Sequence, residues 1–435
     1  MIEKIVQYLS DKKILILGFG AEGQSTYRFL RAQMPELHLT IADKNINLSH
    51  KNNKNTDYLL GEQPPEYHDN FDVIIKSPGV PFKEKTTGEL TSQLDLFLRF
   101  TEAKTIGITG TKGKSTTSSL LNKMLAKQGV NTLLAGNIGI PFFDCLNKIT
   151  ADTVPVLELS SYQLERVTKS PHIALFLNIY EEHSDFHGAF DNYVDSKLNI
   201  ARFQSQGDFF IYNAESADII AEKLPERDGA KRIVTHIDDT LKSSLEGRKL
   251  HGDHNLANIA AALEVCRLFG PVDMRVLNAA RQFGGLPHRM EYVGNYGGIN
   301  YYDDVIATIP QATISCINAL REQHGRVDTL IVGGKDRGVD LSELIAFLRD
   351  GDIVKNVVCI PTTGAHIAKM LDGGDINVHY AADMAQAVAM AKKITPKNGI
   401  CVLSPAASSY DFYKDFNEKG DDFRRLLRFK TLELI

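Results

Sequence analysis

The sequence has few cysteines, no long apolar run and no excess of positive charge, and each of these absences excludes a class of protein. Its five cysteines are scattered, without the density of a disulfide framework or the CxxC or CxxH spacing of a structural zinc site. The apolar runs fall short of the roughly 18 residues that a transmembrane helix needs, and the first residues show no signal-peptide pattern. We therefore expect a cytoplasmic protein without a membrane span.

The charge balance and the length set further limits. A formal net charge of −5 gives no support for binding to nucleic acid or to anionic membranes, so no nucleic-acid partner is expected. The hydrophobic fraction of 43% and the charged fraction of 24% are those of an ordinary globular protein. At 435 residues the chain is too long for one hydrophobic core, and two or three domains are expected.

A glycine-punctuated stretch, GITGTKGKST, has the pattern of a phosphate-binding loop. Apolar residues before it predict a strand, and helical periodicity after it predicts a helix. In such a loop Lys114 reaches the β- and γ-phosphates and the Ser115 hydroxyl holds Mg²⁺. The full Walker pattern has a glycine where this chain has Ile108, so the loop is a shortened form, GxxGKS. A glycine-rich turn with a surface lysine is the alternative, but the flanking strand and helix favour an ATP site.

A second glycine-rich turn lies near the N-terminus, where Gly18, Gly20 and Gly23 form a GxGxxG pattern between a predicted strand and a predicted helix. A second strand ends in Asp43, about 20 residues further on, which is the spacing of a dinucleotide-binding fold. A pyrophosphate would then lie at Gly20 and a ribose at Asp43. A Rossmann-like half-domain that binds another nucleotide is the competing interpretation. For Gly79, at the end of a third strand, a structural role and a ligand contact stay equally open.

Three side chains after the P-loop could take part in chemistry. Glu158 ends an apolar strand, and a carboxylate close to a P-loop suits Mg²⁺. We expect His183, which we place in a loop, to bind metal or phosphate, whereas His187 in the same loop is expected to pack or to lie on the surface. Lys197 lies on the following predicted helix, where a lone lysine is usually exposed, so its position alone does not select it.

The remaining sequence predicts further α/β structure. Asn255 lies near the start of an alanine-rich helix, and turn residues from 283 to 291 suggest a linker. Strands and helices then alternate again, which predicts a mostly parallel sheet with ligands at the carboxyl ends of its strands. We therefore predict an α/β protein of three domains: a Rossmann-like domain (1–95), a P-loop mononucleotide-binding domain (96–290) and a second Rossmann-like domain (291–435).

Six motifs, in this order and spacing, resemble those of the Mur ligases of peptidoglycan synthesis: GTKGKST, LELSSYQL, NIYEEHSDFHG, HNLANIAAA, GLPHRME and LSPAASSYDFYKDFNEKGDDF. The resemblance extends through essentially the whole chain. It implies an ATP-dependent ligase, most similar to the members that join glutamate, expected as the D-isomer, to UDP-N-acetylmuramoyl-L-alanine through an acyl phosphate. It also implies two Mg²⁺ sites and a carbamylated lysine, and we expect a monomer.

The resemblance further implies roles for individual residues. Those expected to act in catalysis are Lys114, His183 and Lys197. Those expected to bind ATP are Gly110, Thr111, Lys112, Gly113, Lys114, Ser115, Thr116, Asn255, Arg289 and Asp304. Those expected to hold Mg²⁺ are Ser115, Glu158, His183 and Lys197 as its carbamate. Those expected to bind the UDP-linked substrate are Gly18, Gly20, Asp43, Gly79 and Asn137. Those expected to bind glutamate are Thr308, Arg337, Ser409 and Phe416.

One departure from the family pattern leaves the glutamate isomer open. Ile306 stands where the glutamate-adding members usually have a lysine, so an L-glutamate-adding variant stays possible. Three rival functions also stay open: a folylpolyglutamate synthase, an NAD-dependent oxidoreductase, and a nucleotide switch that hydrolyses ATP without ligation. The GxGxxG unit argues against the synthase, and the P-loop together with Lys197 argues against the oxidoreductase.

Overall fold

The structure is a computed structural model, and it describes residues 1–46, 48, 55–62, 65–82, 85–138, 140–182, 184–225, 229–250, 252–336, 338–349, 353–409 and 412–428. The chain divides into two compact units, Met1–Phe283 and Gly284–Ile435. Of the helices described, none combines the length and the apolar character that crossing a bilayer requires.

The first unit begins with a parallel five-stranded sheet of order β3-β2-β1-β4-β5. The strands are β1 (Ile14–Leu17), β2 (Leu39–Asp43), β3 (Thr56–Leu60), β4 (Val73–Lys76) and β5 (Glu89–Thr91). The accompanying helices are α1 (Ile2–Leu9), α2 (Ala21–Gln33), a 3₁₀ helix (Pro65–Asn70) and α3 (Gln93–Phe100). Both β1 and β4 are buried along their whole length, as expected for short aliphatic strands covered on both faces.

The second sheet of this unit has six parallel strands in the order β11-β10-β9-β6-β8-β7. They are β6 (Ile106–Thr109), β7 (Thr132–Gly136), β8 (Val154–Glu158), β9 (Ile173–Phe176), β10 (Phe209–Asn213) and β11 (Lys231–Thr235). Its helices are α4 (Lys114–Lys127), α5 (Ser161–Leu164), α6 (Ser184–His187), α7 (Phe190–Arg202), α8 (Ala217–Lys223), α9 (Asp239–Ser244), α10 (Asp253–Arg267) and α11 (Met274–Gln282), with 3₁₀ turns at Phe142–Lys148 and Ala214–Ser216.

One hydrophobic core joins these two sheets. It contains residues of β1, β2 and β4 together with residues of β8, β9 and the 3₁₀ turn at Phe142–Lys148. The ring centroids of Phe29 and Phe143 lie 4.6 Å apart, and those of Phe97 and Phe142 lie 5.5 Å apart. Because aromatic pairs at this spacing pack closely, the two sheets are fixed against each other.

The second unit contains a six-stranded sheet of order β12-β13-β17-β14-β15-β16. Its strands are β12 (Glu291–Tyr296), β13 (Ile299–Asp303), β14 (Val327–Gly333), β15 (Val354–Ile360), β16 (Asn377–Tyr380) and β17 (Ile400–Leu403). Its helices are α12 (Pro310–His324), α13 (Ser342–Arg349), α14 (Thr363–Leu371), α15 (Met384–Ile394) and α16 (Phe416–Arg428). The pair β12–β13 is antiparallel and the other pairs are parallel.

The predicted α/β class and the three successive sheets are confirmed, whereas the boundaries at 95/96 and 290/291 stay predictions. Two local expectations were wrong. Residues 184–187 form the short helix α6 instead of loop, and β12 begins at Glu291, inside the region that the turn residues marked as a linker. β12 is a half-exposed edge strand with Gly294 at φ +144°, so it lacks the buried apolar pattern that identifies a strand.

Candidate active site

The P-loop follows β6, a central strand of the second sheet, and the structure bears out the strand–turn–helix prediction. Gly110 and Gly113 have φ angles of +152° and +83°, which favour glycine. A Cβ on Gly113 would also lie 2.8 Å from the Asn258 amide on α10, so no larger residue fits there. α4 begins at Lys114, and the first N–H groups of an α-helix find no acceptor within the helix itself. The loop therefore has the geometry of a phosphate site.

The side chain of Lys114 folds back across the loop that precedes it. Its Nζ donates hydrogen bonds to the carbonyl oxygens of Gly110 (3.0 Å) and Thr111 (2.9 Å). The ammonium group therefore lies against the backbone of the P-loop. A lysine at this position supplies a positive charge where phosphates would lie.

Two residues that the sequence patterns did not single out hold the P-loop in place. Asn178, just after β9, accepts from Lys112 N (2.8 Å) through Oδ1 and donates to Lys112 O (3.1 Å) through Nδ2. The Tyr193 hydroxyl on α7 lies 3.1 Å from Thr111 Oγ1, and Thr111 is itself buried. The Lys112 ammonium pairs with Glu182. These contacts tie both the backbone and the side chains of the loop to α7 and to the residues after β9.

Glu158 ends β8, next to β6 in the sheet, and is almost fully buried. One carboxylate oxygen, Oε1, accepts a hydrogen bond from Asn137 Nδ2 at 2.8 Å. The other, Oε2, is buried and has no hydrogen-bond partner among the described residues. A buried carboxylate oxygen without a donor is destabilising unless a cation binds it, so this site fits the expected Mg²⁺.

Lys197 of α7 is buried, contrary to what is usual for a helical lysine. Its side chain is only 1% exposed, and its Nζ donates to Gly110 O of the P-loop at 2.8 Å. Burial, with the nearby positive charge of Lys114 as a second cause, holds the pKa of the Lys197 amine well below its usual range. The amine therefore lies close to the P-loop, in surroundings that favour its neutral, unprotonated form.

Two of the predicted site residues, His183 and Arg337, lie outside the described residues. His187 is buried, and its Nε2 lies 3.1 Å from Ser161 Oγ, in agreement with the packing role expected for it. Within the described parts of the chain, no three His, Cys, Asp or Glu side chains cluster as a metal site would require. Mg²⁺ keeps several waters and needs few protein ligands, so the site at Glu158 is consistent with this finding.

The glycine-rich turn of the first sheet contains two kinds of glycine: some are packed closely against neighbouring atoms, and one faces open space. A Cβ on Gly18 would lie 2.5 Å from Val80 Cγ2, and a Cβ on Gly23 would lie 2.0 Å from Gly18 O. Gly20, by contrast, has open space and is the N-cap of α2. A ligand could therefore approach the backbone at Gly20, whereas Gly18 and Gly23 allow close packing.

Strands β2, β1 and β4 are neighbouring parallel strands. The remaining residues expected at this site therefore lie together, at the carboxyl ends of these strands. Asp43 ends β2, and its carboxylate accepts hydrogen bonds from Phe19 N (2.7 Å) and Asn45 N (2.8 Å). Gly79 is exposed in the turn after β4, and Ser77 of that turn donates to Gly18 O at 2.8 Å.

Two other residues expected to bind nucleotides belong to the second sheet. Asn137 is exposed in the loop after β7 and is held by its bond to Glu158. Asn255 is half-buried in the first turn of α10, the helix that also carries Asn258 beneath Gly113.

In the second unit, Asp304 directly follows β13 and is nearly fully buried. Its carboxylate accepts from Ser404 Oγ at 2.8 Å and from Met290 N at 3.1 Å, and burial raises its pKa to about 6. Arg289 is exposed, and its charge acts in the opposite direction on the pKa of this carboxyl. Ile306 is half-buried, and its backbone N–H donates to His288 O.

The residues expected to bind glutamate surround the carboxyl ends of the same sheet. Ser409 is buried, and its hydroxyl has no hydrogen-bond partner in the described part of the chain. Phe416 begins α16 and is half-buried, and Thr308 is half-buried in the loop after β13. No sequence pattern singled out Lys419, one turn after Phe416 on α16. Its buried Nζ donates to Gly333 O at 2.8 Å, and burial lowers its pKa to about 7.

Comparison with known proteins identifies the family. The Mur ligase middle domain matches residues 108–266, and the Mur ligase glutamate ligase domain matches residues 288–407. The UDP-N-acetylmuramoylalanine–D-glutamate ligase of Geotalea uraniireducens is 31% identical over 97% of this chain and 98% of its own length. The chain belongs to the Mur ligase family. A ligase of the same name from Lacticaseibacillus paracasei is 32% identical over 95% of each chain.

Solved structures of Mur ligases share the fold of this chain. The MurF ligase of Thermotoga maritima, solved in complex with ADP, is 16% identical, covers 95% of this chain and 94% of its own, and superposes with a TM-score of 0.52. A UDP-N-acetylmuramoyl-L-alanyl-D-glutamate–2,6-diaminopimelate ligase is 18% identical over 95% of this chain and 91% of its own, with a TM-score of 0.51. At such low identity these structures support the fold alone.

For this Mur ligase, the unpartnered oxygen of Glu158 leads to a prediction about metal binding. We expect Glu158→Gln to raise the Mg²⁺ concentration for half-maximal ATP turnover at least about tenfold, because an amide is a weaker ligand than a carboxylate. Without Mg²⁺ the variant should unfold at the same or a higher temperature, since a buried charge has been removed. Metal titrations of activity and thermal unfolding measure both effects. The exposed Glu246→Gln is the control, and an unchanged Mg²⁺ requirement in Glu158→Gln would exclude Glu158 as a ligand.

Proposed function

We propose that the chain catalyses ATP-dependent ligation of D-glutamate to UDP-N-acetylmuramoyl-L-alanine, a step of peptidoglycan synthesis. The observation that carries the proposal is the P-loop lysine, Lys114, at the start of α4 after β6, together with the partly unpartnered carboxylate of Glu158 at the end of the neighbouring strand β8, in a chain of the Mur ligase family. The relatives named as D-glutamate ligases, which align over almost their whole length, support the choice of substrates.

A carboxylate is a poor acylating agent, so the reaction needs a leaving group. In the proposed sequence an oxygen of the L-alanyl carboxylate attacks the γ-phosphorus of ATP, the bond from that phosphorus to the β,γ-bridging oxygen breaks, and ADP leaves as the acyl phosphate forms. The neutral glutamate amine then attacks the carbonyl carbon of the acyl phosphate, inorganic phosphate leaves with the electrons of the broken C–O bond, and the nitrogen loses a proton to give the amide. The protein supplies positioning and charge neutralisation, with Lys114 and the N–H groups at the start of α4 placed to bind phosphate oxygens.

Ser115, Glu158 and Lys197 are the described residues that we propose to hold Mg²⁺, which when bound would offset negative charge on the phosphates. For Lys197 we propose carbamylation. Its amine is buried, and it has no carboxylate within ion-pair distance among the described residues, which favours the neutral form that reacts with CO₂. The carbamate would replace an unfavourable buried amine with an oxygen ligand next to Gly110.

The other expected sites complete the proposal. The open backbone at Gly20, with Asp43 and Gly79 at the carboxyl ends of neighbouring strands, supports a UDP site. We propose that Asn137, which donates a hydrogen bond to Glu158, binds the same substrate. Thr308, Ser409 and Phe416 are proposed to bind glutamate, and Asn255, Arg289 and Asp304 to bind ATP.

We further propose a monomer that acts in the cytoplasm. The five cysteines are all buried as free thiols, which supports a reducing compartment.

The glutamate isomer needs a direct test, because Ile306 replaces a lysine that the glutamate-adding members usually have. Purified protein with ATP, Mg²⁺ and UDP-N-acetylmuramoyl-L-alanine is incubated with D- or L-glutamate, and the product is identified by mass and chromatography. We expect D-glutamate to be preferred at least about a hundredfold in kcat/KM, because the wrong enantiomer cannot place both its carboxylates and its amine. Preference for L-glutamate would overturn the assignment and favour the L-adding variant, and ligation of neither isomer would overturn the proposed function.

A further inference from the structure

The C-terminal part of helix α5 contacts two elements around the first sheet through polar side chains. Gln163 Nε2 donates to Glu22 Oε1 of α2 at 2.6 Å, and the carboxylate of Glu165, the C-cap of α5, lies 3.4 Å from Nζ of Lys76, the last residue of β4. Gln163 and Lys76 are both buried. The two partners flank the two turns that we propose to bind the UDP-linked substrate, since Glu22 follows Gly20 and Lys76 precedes the turn of Gly79.

Glu22 is unusually buried for a glutamate in the first turn of a helix. One oxygen of its carboxylate accepts from Gln163, and the other is buried without a hydrogen-bond partner among the described residues. Burial raises its pKa to about 7 although the bond from Gln163 acts the other way. The cation that faces it, Lys76, is engaged with the carbonyl oxygens of Ser77, Pro78 and Val80 and with Glu165. Burying a carboxylate oxygen without a hydrogen-bond donor costs free energy of folding, so stability alone does not explain this arrangement.

The orientation of Gln163 requires an acceptor at position 22. Its Oε1 accepts from Ser160 N at 3.1 Å, while Ser160 Oγ accepts from Gln163 N at 3.3 Å, which is a capping box at the start of α5. The opposite orientation of the amide group would place its nitrogen against Ser160 N and its oxygen against the carboxylate of Glu22, so the observed orientation is the one that satisfies both neighbours. Ser160 lies two residues after Glu158. Hydrogen bonds therefore connect Glu22 through Gln163 to Ser160, and two residues of main chain connect Ser160 to Glu158, the proposed Mg²⁺ ligand at the end of β8.

We propose that Glu22 is a positioning residue for the ligation reaction: through Gln163 and Ser160 it holds the carboxyl end of β8, and with it Glu158, in register with the turns that bind the UDP-linked substrate. The inference rests on the proposed function. Its consequence is that the reacting carboxylate of the substrate, held by the first sheet, meets a metal site in the second sheet at a fixed distance. Misalignment of reacting groups by a fraction of an ångström to one ångström is sufficient to slow a reaction strongly.

The test compares two substitutions with different hydrogen-bonding capacity. Glu22→Gln keeps an acceptor for Gln163, and we expect it to retain kcat within about threefold. Glu22→Ala removes the acceptor, and we expect kcat to fall at least about tenfold, while the Kd for UDP-N-acetylmuramoyl-L-alanine stays within about threefold of wild type. The exposed Glu3→Ala on α1 is the matched control and should match wild type. A change in Kd without a change in kcat, or equal losses in Glu22→Gln and Glu22→Ala, would overturn the positioning role.

Two further measurements separate this inference from the proposed function. In a double-mutant cycle, the falls in kcat caused by Glu22→Ala and Gln163→Ala should not multiply. The kcat of the double variant should be no lower than that of the slower single variant, whereas multiplied losses would contradict the coupling. Amide hydrogen exchange needs no ligation activity. In Glu22→Ala, but not in Glu22→Gln, exchange at residues 160–164 should be at least about tenfold faster while β1 is unchanged. Unchanged exchange at α5 would overturn the inference even if the ligase assay succeeds, and faster exchange would support it even if that assay fails.

Discussion

Replacement of Lys114 by alanine is expected to lower kcat for ligation at least about a thousandfold, which corresponds to about 4 kcal/mol of transition-state stabilisation. Lys114 crosses its own loop to Gly110 O and Thr111 O, at the start of α4, where the transferred phosphate would lie. Its positive charge is placed to offset negative charge as the γ-phosphate moves to the carboxylate. Single-turnover and steady-state kinetics with both substrates measure the loss.

The same substitution should leave binding of UDP-N-acetylmuramoyl-L-alanine within about threefold of wild type, as calorimetry would show. Three of the four residues proposed to bind that substrate (Gly20, Asp43 and Gly79) lie after β1, β2 and β4 of the first sheet, whereas Lys114 begins α4 after β6 of the second sheet. Lys127→Ala, an exposed lysine in the last turn of the same helix, is the matched control and should retain full activity. Lys114→Ala with kcat near that of Lys127→Ala would contradict the assignment of this loop as the phosphate site.

Loss of the Lys197 side chain is expected to have the second largest effect, a fall in kcat of at least about a hundredfold in Lys197→Ala. The proposed carbamate would supply an oxygen ligand within reach of Gly110, and its loss would weaken binding of Mg²⁺ and with it the positioning of the phosphates. Lys197→Met keeps most of the buried volume and should be equally inactive, because filling the space does not replace the ligand. Steady-state kinetics at saturating Mg²⁺ measure both variants.

Chemical rescue separates a carbamate from a simple ammonium group. A short carboxylate such as acetate or propionate should restore Lys197→Ala by about tenfold, since it can occupy the space left by the side chain and supply oxygen ligands. It should not restore Lys197→Met, in which that space is filled, or stimulate the wild-type enzyme. Rescue by a short amine instead of a carboxylate would contradict carbamylation and favour a direct role of the lysine charge.

Much of the fold was predictable because its signals are local. Short apolar runs identified β1 and β6, which are followed by glycine-rich turns, and β17, which is followed by a turn of proline, serine and alanine. Strands such as β12 and β16 were missed because both are half-exposed edge strands, so burial leaves little mark on their sequences. The P-loop was predictable from one sequence, since its conformation depends on residues that are adjacent in the chain.

Features of the site that depend on distant contacts could not be predicted from physical patterns. Lys197 is buried because α7 packs so that its Nζ reaches Gly110, 87 positions away in the sequence. Lys419 reaches Gly333 across 86 positions, and Glu22 meets Gln163 across 141. A helical lysine or a glutamate in a turn gives no local sign that it will be buried. For Lys197 the family resemblance supplied what periodicity could not, whereas Glu22 required the structure.

The proposed ligase activity is tested most directly by measuring how phosphate release depends on both acceptor substrates. The account predicts that the purified protein with Mg²⁺ and ATP releases inorganic phosphate at least about a hundredfold faster when UDP-N-acetylmuramoyl-L-alanine and D-glutamate are both present than when either is omitted. One amide product should form for each phosphate released. A rate of phosphate release that is independent of both acceptors would contradict the ligase account and leave a nucleotide hydrolase in its place.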